Sequence, residues 1–185
     1  VLPIEVHKGQ PYVKVVTGCT NQWSDSLMYL MDTGAGLTAM IHNNTHPHLS
    51  IPQHIVSGNL GTGLGGYIKG YVGRIDHFQI GEHRFNNLIT SFQALDSTYM
   101  DHLEFKRNGL IGNQILSRFD ITLDYTRKLL YLSPNSDFND EFRVDRSGIF
   151  LVASGPDLDH YHIQSIIPGS PAQEAGLQEG DQILS

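Results

Sequence analysis

The sequence of 185 residues predicts a mainly β protein, in which one larger domain is followed by a linker and part of a smaller α+β domain. Residues 1–133 hold short runs rich in Val, Ile, Leu and Tyr. Gly, Pro and Asn separate these runs, which is the pattern of strands and turns. Residues 134–147 are polar and without periodicity, so they are predicted to be a linker. Residues 148–185 combine a second β pattern with a small-residue helix that ends on Gly176 or Gly180.

Composition and charge narrow the class of protein. The 39% hydrophobic and 17% charged residues are ordinary for a globular protein and argue against disorder. The formal net charge of −7 does not indicate a positively charged binding surface, so nucleic acid is not expected as a partner. No apolar stretch has the length of a membrane span, and no transmembrane segment is predicted in this chain. Because the chain begins at Val1 and ends inside the apparent motif "GDQILS", we expect a piece of a longer protein.

Three strands are predicted to open the larger domain. The runs "PIEVH" and "YVKVVTG" flank Gly9-Gln10-Pro11, which is a hairpin signal. The third run, "SDSLMYLM", is apolar enough to be buried on both faces. Residues 42–54 are polar and carry two prolines, so they are predicted to form a loop with at most a short helix. This loop holds His42, His46, His48 and His54, which lack helical spacing and cysteine partners and are interpreted as solvated rather than metal-binding.

The remaining elements of the larger domain are a ribbon, a helix and a hairpin. A glycine cluster opens the ribbon, which turns at Gly81-Glu82-His83. Residues 61–66 fit the G-x-G-x-x-G pattern, but β-prone residues follow instead of a helix, so a hairpin tip is predicted rather than a nucleotide site. "NGLIGNQILSRF" indicates a strand end, a glycine turn and a short helix. "DITLDYTRKLLYLSP" indicates a closing hairpin.

Asp32 stands where an apolar strand meets glycines, in "LMYLMDTGAG". An Asp at a strand end commonly opens an ordinary turn, because it bonds its own backbone while glycine supplies the turn conformation. A functional carboxylate is the alternative, and three features favour it. The preceding strand is apolar, the Gly-rich ribbon could serve as a lid, and "LIGNQIL" repeats the strand-to-glycine pattern and could pack across the Asp32 strand.

The order of these motifs resembles the retropepsin-like aspartic proteases, including the bacterial aspartyl protease family. The resemblance runs from about Leu2 to Leu132. It rests on "DTGA", on "LGTGLGGYIKG" as a flap, on "LIGNQIL" with its helix, and on "ITLDYTRKLLYL" as the closing strands. It implies that residues 1–133 form a retropepsin-like closed β-barrel lobe with a flap hairpin and one short helix.

The resemblance also implies roles for individual residues. Asp32 would be the catalytic carboxylate, Thr33 would bond across to a partner lobe, and Gly34 would let the backbone donate to the carboxylate. A second lobe, from a homodimer or from an upstream part of a longer chain, would supply the other Asp for cleavage of a peptide or protein substrate. No metal or organic cofactor is implied. The implied substrate-binding positions are Ala35, Gly36, Gly63, Leu64, Gly65, Gly66, Tyr67, Ile111 and Asn113.

Two positions depart from the pattern of the family. Retroviral members usually pair an acidic residue after D-T-G-A with an arginine after the later glycine, whereas this sequence has Gly36 and Asn113 there. These departures keep open a second hypothesis, in which the lobe is an inactive peptide-binding module.

The end of the chain carries a second resemblance. "IIPGSPAQEAGLQEGDQILS" looks like the middle of a PDZ domain, and "SGIFLVASG" would be its opening strand and carboxylate-binding loop. The resemblance implies partner binding by strand addition. We expect residues 148–185 to be the N-terminal part of a truncated PDZ domain. The pairing with this peptidase type implies the cell envelope, the periplasm or secretion.

Overall fold

The computed structural model describes residues 1–19, 24–63, 66–96, 105–142 and 145–184. The chain divides into two compact units. The first unit comprises Val1–Ile55 and Tyr71–Phe142, and the second comprises Val56–Gly70 and Arg143–Ser185.

The first unit begins with an antiparallel meander of β1 (Leu2–His7), β2 (Gln10–Gly18) and β3 (Asp25–Met31). Lys8 and Gly9 join β1 to β2 and have positive φ values of 49° and 77°. Two consecutive left-handed residues fit the right-handed twist of the strands, so the predicted hairpin forms with a two-residue turn.

A closed six-stranded barrel forms the centre of the first unit. In addition to β2 and β3, the barrel contains β4 (Ala39–His42), β6 (Gly66–Ile80), β7 (His83–Gln93) and β8 (Gly109–Ile111). The strand order is β6-β7-β4-β8-β3-β2, and β2 pairs again with β6, which closes the barrel. The largest fully buried barrel side chains are Tyr29, Phe78, Phe92, Ile41, Ile75, Ile80, Leu88 and Ile111. Strand β5 (Ile55–Gly63) precedes β6 and pairs with it.

The first unit also contains a short helix and a hairpin that are not part of the barrel. Helix α1 (Asn113–Leu116) follows β8, and β9 (Phe119–Asp124) and β10 (Leu129–Pro134) follow α1. β10 pairs with β1, and β9 pairs only with β10 among the described strands. The helix and the hairpin both lie where the sequence predicts them.

Residues 135–142, called the strap below, follow β10 and pack onto the first unit. Phe138 and Phe142 lie 5.5 and 5.7 Å from Phe85 between ring centroids, and Phe138 lies 5.3 Å from Phe119. The first part of the segment that the sequence predicts to be a linker is therefore held against the barrel by aromatic contacts.

The C-terminal part of the second unit is a three-stranded sheet with a one-turn helix. The strand order is β11 (Ile149–Ser154), β12 (His160–Ile166) and β13 (Gln182–Ile183). Helix α2 (Pro171–Glu174) begins at the N-cap Ser170 and ends before Gly176, whose φ is 82°. The Leu177 amide donates to the Ala172 carbonyl, so the helix stops with the glycine motif that the sequence predicts.

The predicted fold class is confirmed. The protein is mainly β, with a closed barrel and a separate small sheet with a helix. Among the described residues, no helix is long and apolar enough to span a membrane.

Candidate active site

Asp32 directly follows the last residue of β3 and is half-buried. Its Oδ1 accepts a hydrogen bond from the Gly34 amide at 2.9 Å, and its own amide donates to the Ile111 carbonyl at 3.0 Å. Oδ2 accepts no hydrogen bond within the described part of the chain. One carboxylate oxygen of Asp32 is therefore fixed by the backbone.

The position of β8 explains how Ile111 reaches Asp32. β8 lies between β3 and β4, parallel to β3 and antiparallel to β4, so that Ile111 pairs with both Met31 and Ala39. "LIGNQIL" thus packs across the Asp32 strand, as its sequence pattern indicates. The loop that leaves β3 and enters β4 is consequently held over the end of a third strand.

Helix α1 holds this loop, residues 32–38, by its backbone and one side chain. The Gly112 amide donates to Thr38 O at 2.8 Å, and the Asn113 amide donates to Ala35 O at 2.7 Å. The Gln114 amide donates to Leu37 O at 3.2 Å, and Gln114 Nε2 donates to Gly36 O at 3.1 Å. Four consecutive loop carbonyls, from residues 35, 36, 37 and 38, are therefore satisfied by three consecutive residues of the second glycine motif.

Gly112 makes this approach sterically feasible. A Cβ at this position would lie 2.1 Å from the Leu37 oxygen and 2.9 Å from the Ala35 oxygen, both of which are backbone atoms that cannot turn aside. The glycine of "LIGNQIL" is thus required by close packing against the Asp32 loop, not by an unusual backbone angle, since its φ is −91°.

The outer side of the loop faces solvent, whereas its inner end is buried. Thr33, Gly34 and Gly36 are exposed. Thr38 is only 3% exposed, and its hydroxyl donates to the Ile89 carbonyl of β7. The arrangement therefore presents a single oriented carboxylate at an open surface, and the role of Thr33 in bonding to another lobe stays a prediction.

The structure brings some of the predicted site residues together and places others in the second unit. Asp32, Thr33, Gly34, Ala35 and Gly36 share one loop with Ile111 and Asn113 against it. The predicted flap residues belong to the second unit: Gly63 ends β5, and Gly66 and Tyr67 begin β6. Leu64 and Gly65 lie outside the described residues. Contact of the flap with substrate stays a prediction.

The prediction that all four loop histidines are solvated is wrong for His42. This residue ends β4 and is 2% exposed, whereas His48 and His54 are exposed. Burial, and then the positive charge of Arg107, lowers the pKa of His42 to about 4. Among the described residues, no three His, Cys, Asp or Glu side chains come together as a metal site.

Sequence analysis missed Thr38 and Gln114, which support the loop, and Arg118, which donates to the Gln114 carbonyl and to the strap. Each acts through a contact distant in sequence, which strand and helix periodicity does not reveal. The sequence alone could have marked Arg118 as unusual, because it is the only charged residue in the run "NQILSRF". A lone arginine beside buried residues needs hydrogen-bond partners.

Comparisons with known proteins concern both parts of the chain. The PDZ domain family model matches residues 138–185. No curated protein matches the chain in sequence. Among solved structures, the chain is similar to a retropepsin-like aspartic protease from Rickettsia conorii, with 19% sequence identity and a TM-score of 0.49. That match covers 71% of this chain and 88% of the other. The chain therefore combines PDZ-type sequence at 138–185 with a closed β-barrel that carries the Asp32 loop.

Proposed function

We propose that this chain provides one lobe of an aspartic endopeptidase, in which Asp32 is one of two catalytic carboxylates. The observation that carries the proposal is the way the Asp32 loop is held. The Gly34–Asp32 hydrogen bond alone is what an ordinary Asp turn would also form. An ordinary turn does not require the four additional bonds from residues 112–114, which hold the loop from behind and leave its outer side open.

The proposed chemistry needs a second carboxylate close to Asp32. Two neighbouring carboxylates cannot both ionise readily, so they share one proton and titrate as a pair. The ionised member accepts a proton from a water molecule, which attacks the peptide carbonyl, while the protonated member polarises that carbonyl. The Gly34 amide would keep the Asp32 carboxylate oriented through these proton transfers.

A second lobe is the proposed source of the other carboxylate. The exposed Thr33 and Gly34 lie beside Asp32, so a second D-T-G loop can approach this side of the lobe. A symmetric homodimer would bring the same surface of two copies together. An upstream lobe of a longer chain would give the same arrangement within one polypeptide.

A second candidate function is an inactive peptide-binding module that recruits partners through its PDZ segment. The PDZ match at 138–185 favours this candidate, because PDZ domains bind peptides by strand addition. The departures at Gly36 and Asn113 favour it as well, because this chain lacks the acidic residue and the arginine that pair in retroviral members. In place of that ion pair, Gln114 and the Asn113 amide connect the helix to the loop.

Peptide cleavage by the intact protein tests these two candidates. We expect wild type to cleave a mixed peptide pool at some pH within about pH 3–8, where the two carboxylates share one proton. Asp32→Asn should abolish cleavage, whereas Asp120→Asn should retain it, because Asp120 is an exposed carboxylate of β9. Equal inertness of wild type and Asp32→Asn across this range would refute the endopeptidase. Cleavage by a strict monomer that contains one D-T-G loop would refute the two-lobe mechanism.

A further inference from the structure

Arg118 is a buried cation whose partners are main-chain carbonyls. Its side chain lies in the barrel unit next to α1 and is 7% exposed. The two terminal nitrogens donate to four carbonyls of the strap, with distances of 2.9 Å to Asp137, 3.2 Å to Phe138 and 3.3 Å to Glu141, and a short contact to Asp140. Within the described residues, no carboxylate forms an ion pair with Arg118, so carbonyl dipoles offset the cost of burying its charge.

The ring of Phe142 and the Gln114 carbonyl also contact the Arg118 guanidinium. Its central carbon lies 3.9 Å from the centroid of the Phe142 ring, a cation–π distance. Nε donates to the Gln114 carbonyl at 3.0 Å. Arg118 therefore joins the strap to a particular residue of α1.

Gln114 carries this connection to the Asp32 loop. Its carbonyl accepts from Arg118, its amide donates to Leu37 O, and its side chain donates to Gly36 O. The residue is thus bonded to Arg118 on one side and holds two loop carbonyls on the other.

The strap is itself anchored at both of its ends. Asn135 donates from its amide to the Arg118 carbonyl at 3.1 Å and from its side chain to the Ser117 carbonyl at 2.8 Å, which satisfies the open end of α1. Phe142 packs against Phe85 at the other end. Helix α1 has only four residues and is too short to be stable alone, so its position depends on these tertiary contacts.

We propose that Arg118 and Gln114 are positioning residues for the Asp32 loop, and that the strap is the clamp that keeps both in place. Removing the clamp frees α1 to shift, and the carbonyls of Gly36 and Leu37 then lose their donors. The clamp itself is independent of the proposed peptidase activity. Its consequence for catalysis rests on that activity.

Amide hydrogen exchange on the intact protein tests the clamp without any need for activity. Arg118→Lys keeps the charge but loses the planar fork that reaches several carbonyls. We expect the Asn113 and Gln114 amides to exchange about tenfold faster, while amides of β2 and β3 change by less than about twofold. Arg74→Lys is the matched control, because Arg74 is exposed and its Nη1 donates to the Asn87 carbonyl at 2.8 Å on the barrel surface.

Two outcomes would overturn the clamp. One is unchanged exchange of the Asn113 and Gln114 amides in Arg118→Lys. The other is equal acceleration of all barrel amides, which indicates general destabilisation. Should Arg118→Lys fail to fold, Phe142→Leu removes the ring beneath the guanidinium and keeps an apolar side chain, and the same local acceleration is expected.

A kinetic arm separates the clamp from the proposed function. In an active protein, Arg118→Lys should lower kcat about tenfold and change KM by less than about twofold, because misplacing Asp32 affects the chemical step more than substrate binding. Local acceleration of exchange in a protein that never cleaves peptides would support the clamp and refute the peptidase. Unchanged exchange in an active enzyme would refute the clamp alone.

Discussion

His42 is expected to make the barrel less stable in acid. Its imidazole is 2% exposed, and neither ring nitrogen has a hydrogen-bond partner among the described residues. Burial is the main cause that lowers its pKa from 6.5 to about 4, and the Arg107 charge adds to this effect. The nearby Gln93 carbonyl raises the pKa of His42, although it forms no hydrogen bond with either ring nitrogen.

The sign and size of the effect follow from proton linkage. Below pH 6.5 the unfolded chain protonates His42, whereas the folded barrel keeps it neutral down to about pH 4, so stability falls as the pH falls through this window. A difference of about 2.5 pKa units at 1.36 kcal/mol per unit amounts to about 3 kcal/mol. That loss is a large part of the roughly 5–15 kcal/mol that stabilises a typical domain.

Urea unfolding at pH 7.5 and pH 4.5 measures this contribution. His42→Phe keeps a ring of similar size and cannot titrate, so the loss of stability between the two pH values should be about 2–3 kcal/mol smaller in the variant than in wild type. His48→Phe is the control, because His48 is exposed. Identical pH dependence of wild type and His42→Phe would refute the assignment. The result also matters for peptide cleavage, because a loss of activity near pH 4 can come from unfolding instead of from the carboxylate pair.

Two further predictions concern packing and hydrogen bonding. Gly112→Ala should lower the free energy of unfolding by about 1–3 kcal/mol or more, because its Cβ meets backbone oxygens of the loop. Gly36→Ala, with no atom within 4 Å of its Cβ, should stay within about 0.5 kcal/mol in urea unfolding, and an equal effect of both changes would contradict the close-packing argument. Tyr29→Phe should cost about 1–2 kcal/mol, because the buried Thr17 hydroxyl donates to the Tyr29 hydroxyl at 3.0 Å. The same urea measurement on the exposed Tyr125→Phe should show no change, and a neutral Tyr29→Phe would refute the value assigned to this bond.

Much of the fold follows from local pattern. The hairpin at Gly9, the turn after Ile80, the helix after Gly112 and the helix stop at Gly176 all lie where short-range signals predict them. These signals are reliable because turns and helix ends depend on the conformations available to a few neighbouring residues.

The candidate site was predictable in part. The order of "DTGAG" and "LIGNQIL" predicts that two glycine turns meet, and the bond between the Asp32 amide and Ile111 agrees with that prediction. The roles of Gln114 and Arg118 could not be predicted, because Gln114 bonds a carbonyl 78 residues away in the sequence and Arg118 bonds strap carbonyls 19 to 23 residues away.

The sequence by itself determined the first three strands, the closing hairpin, several turns and the location of a carboxylate at the end of an apolar strand. Only the tertiary structure decided which groups surround that carboxylate, that His42 is buried, and that the strap packs on the barrel. The physical reason is that periodicity records which face of a segment avoids water. Hydrogen bonds from a buried arginine to distant carbonyls depend on chain closure, which brings remote segments together.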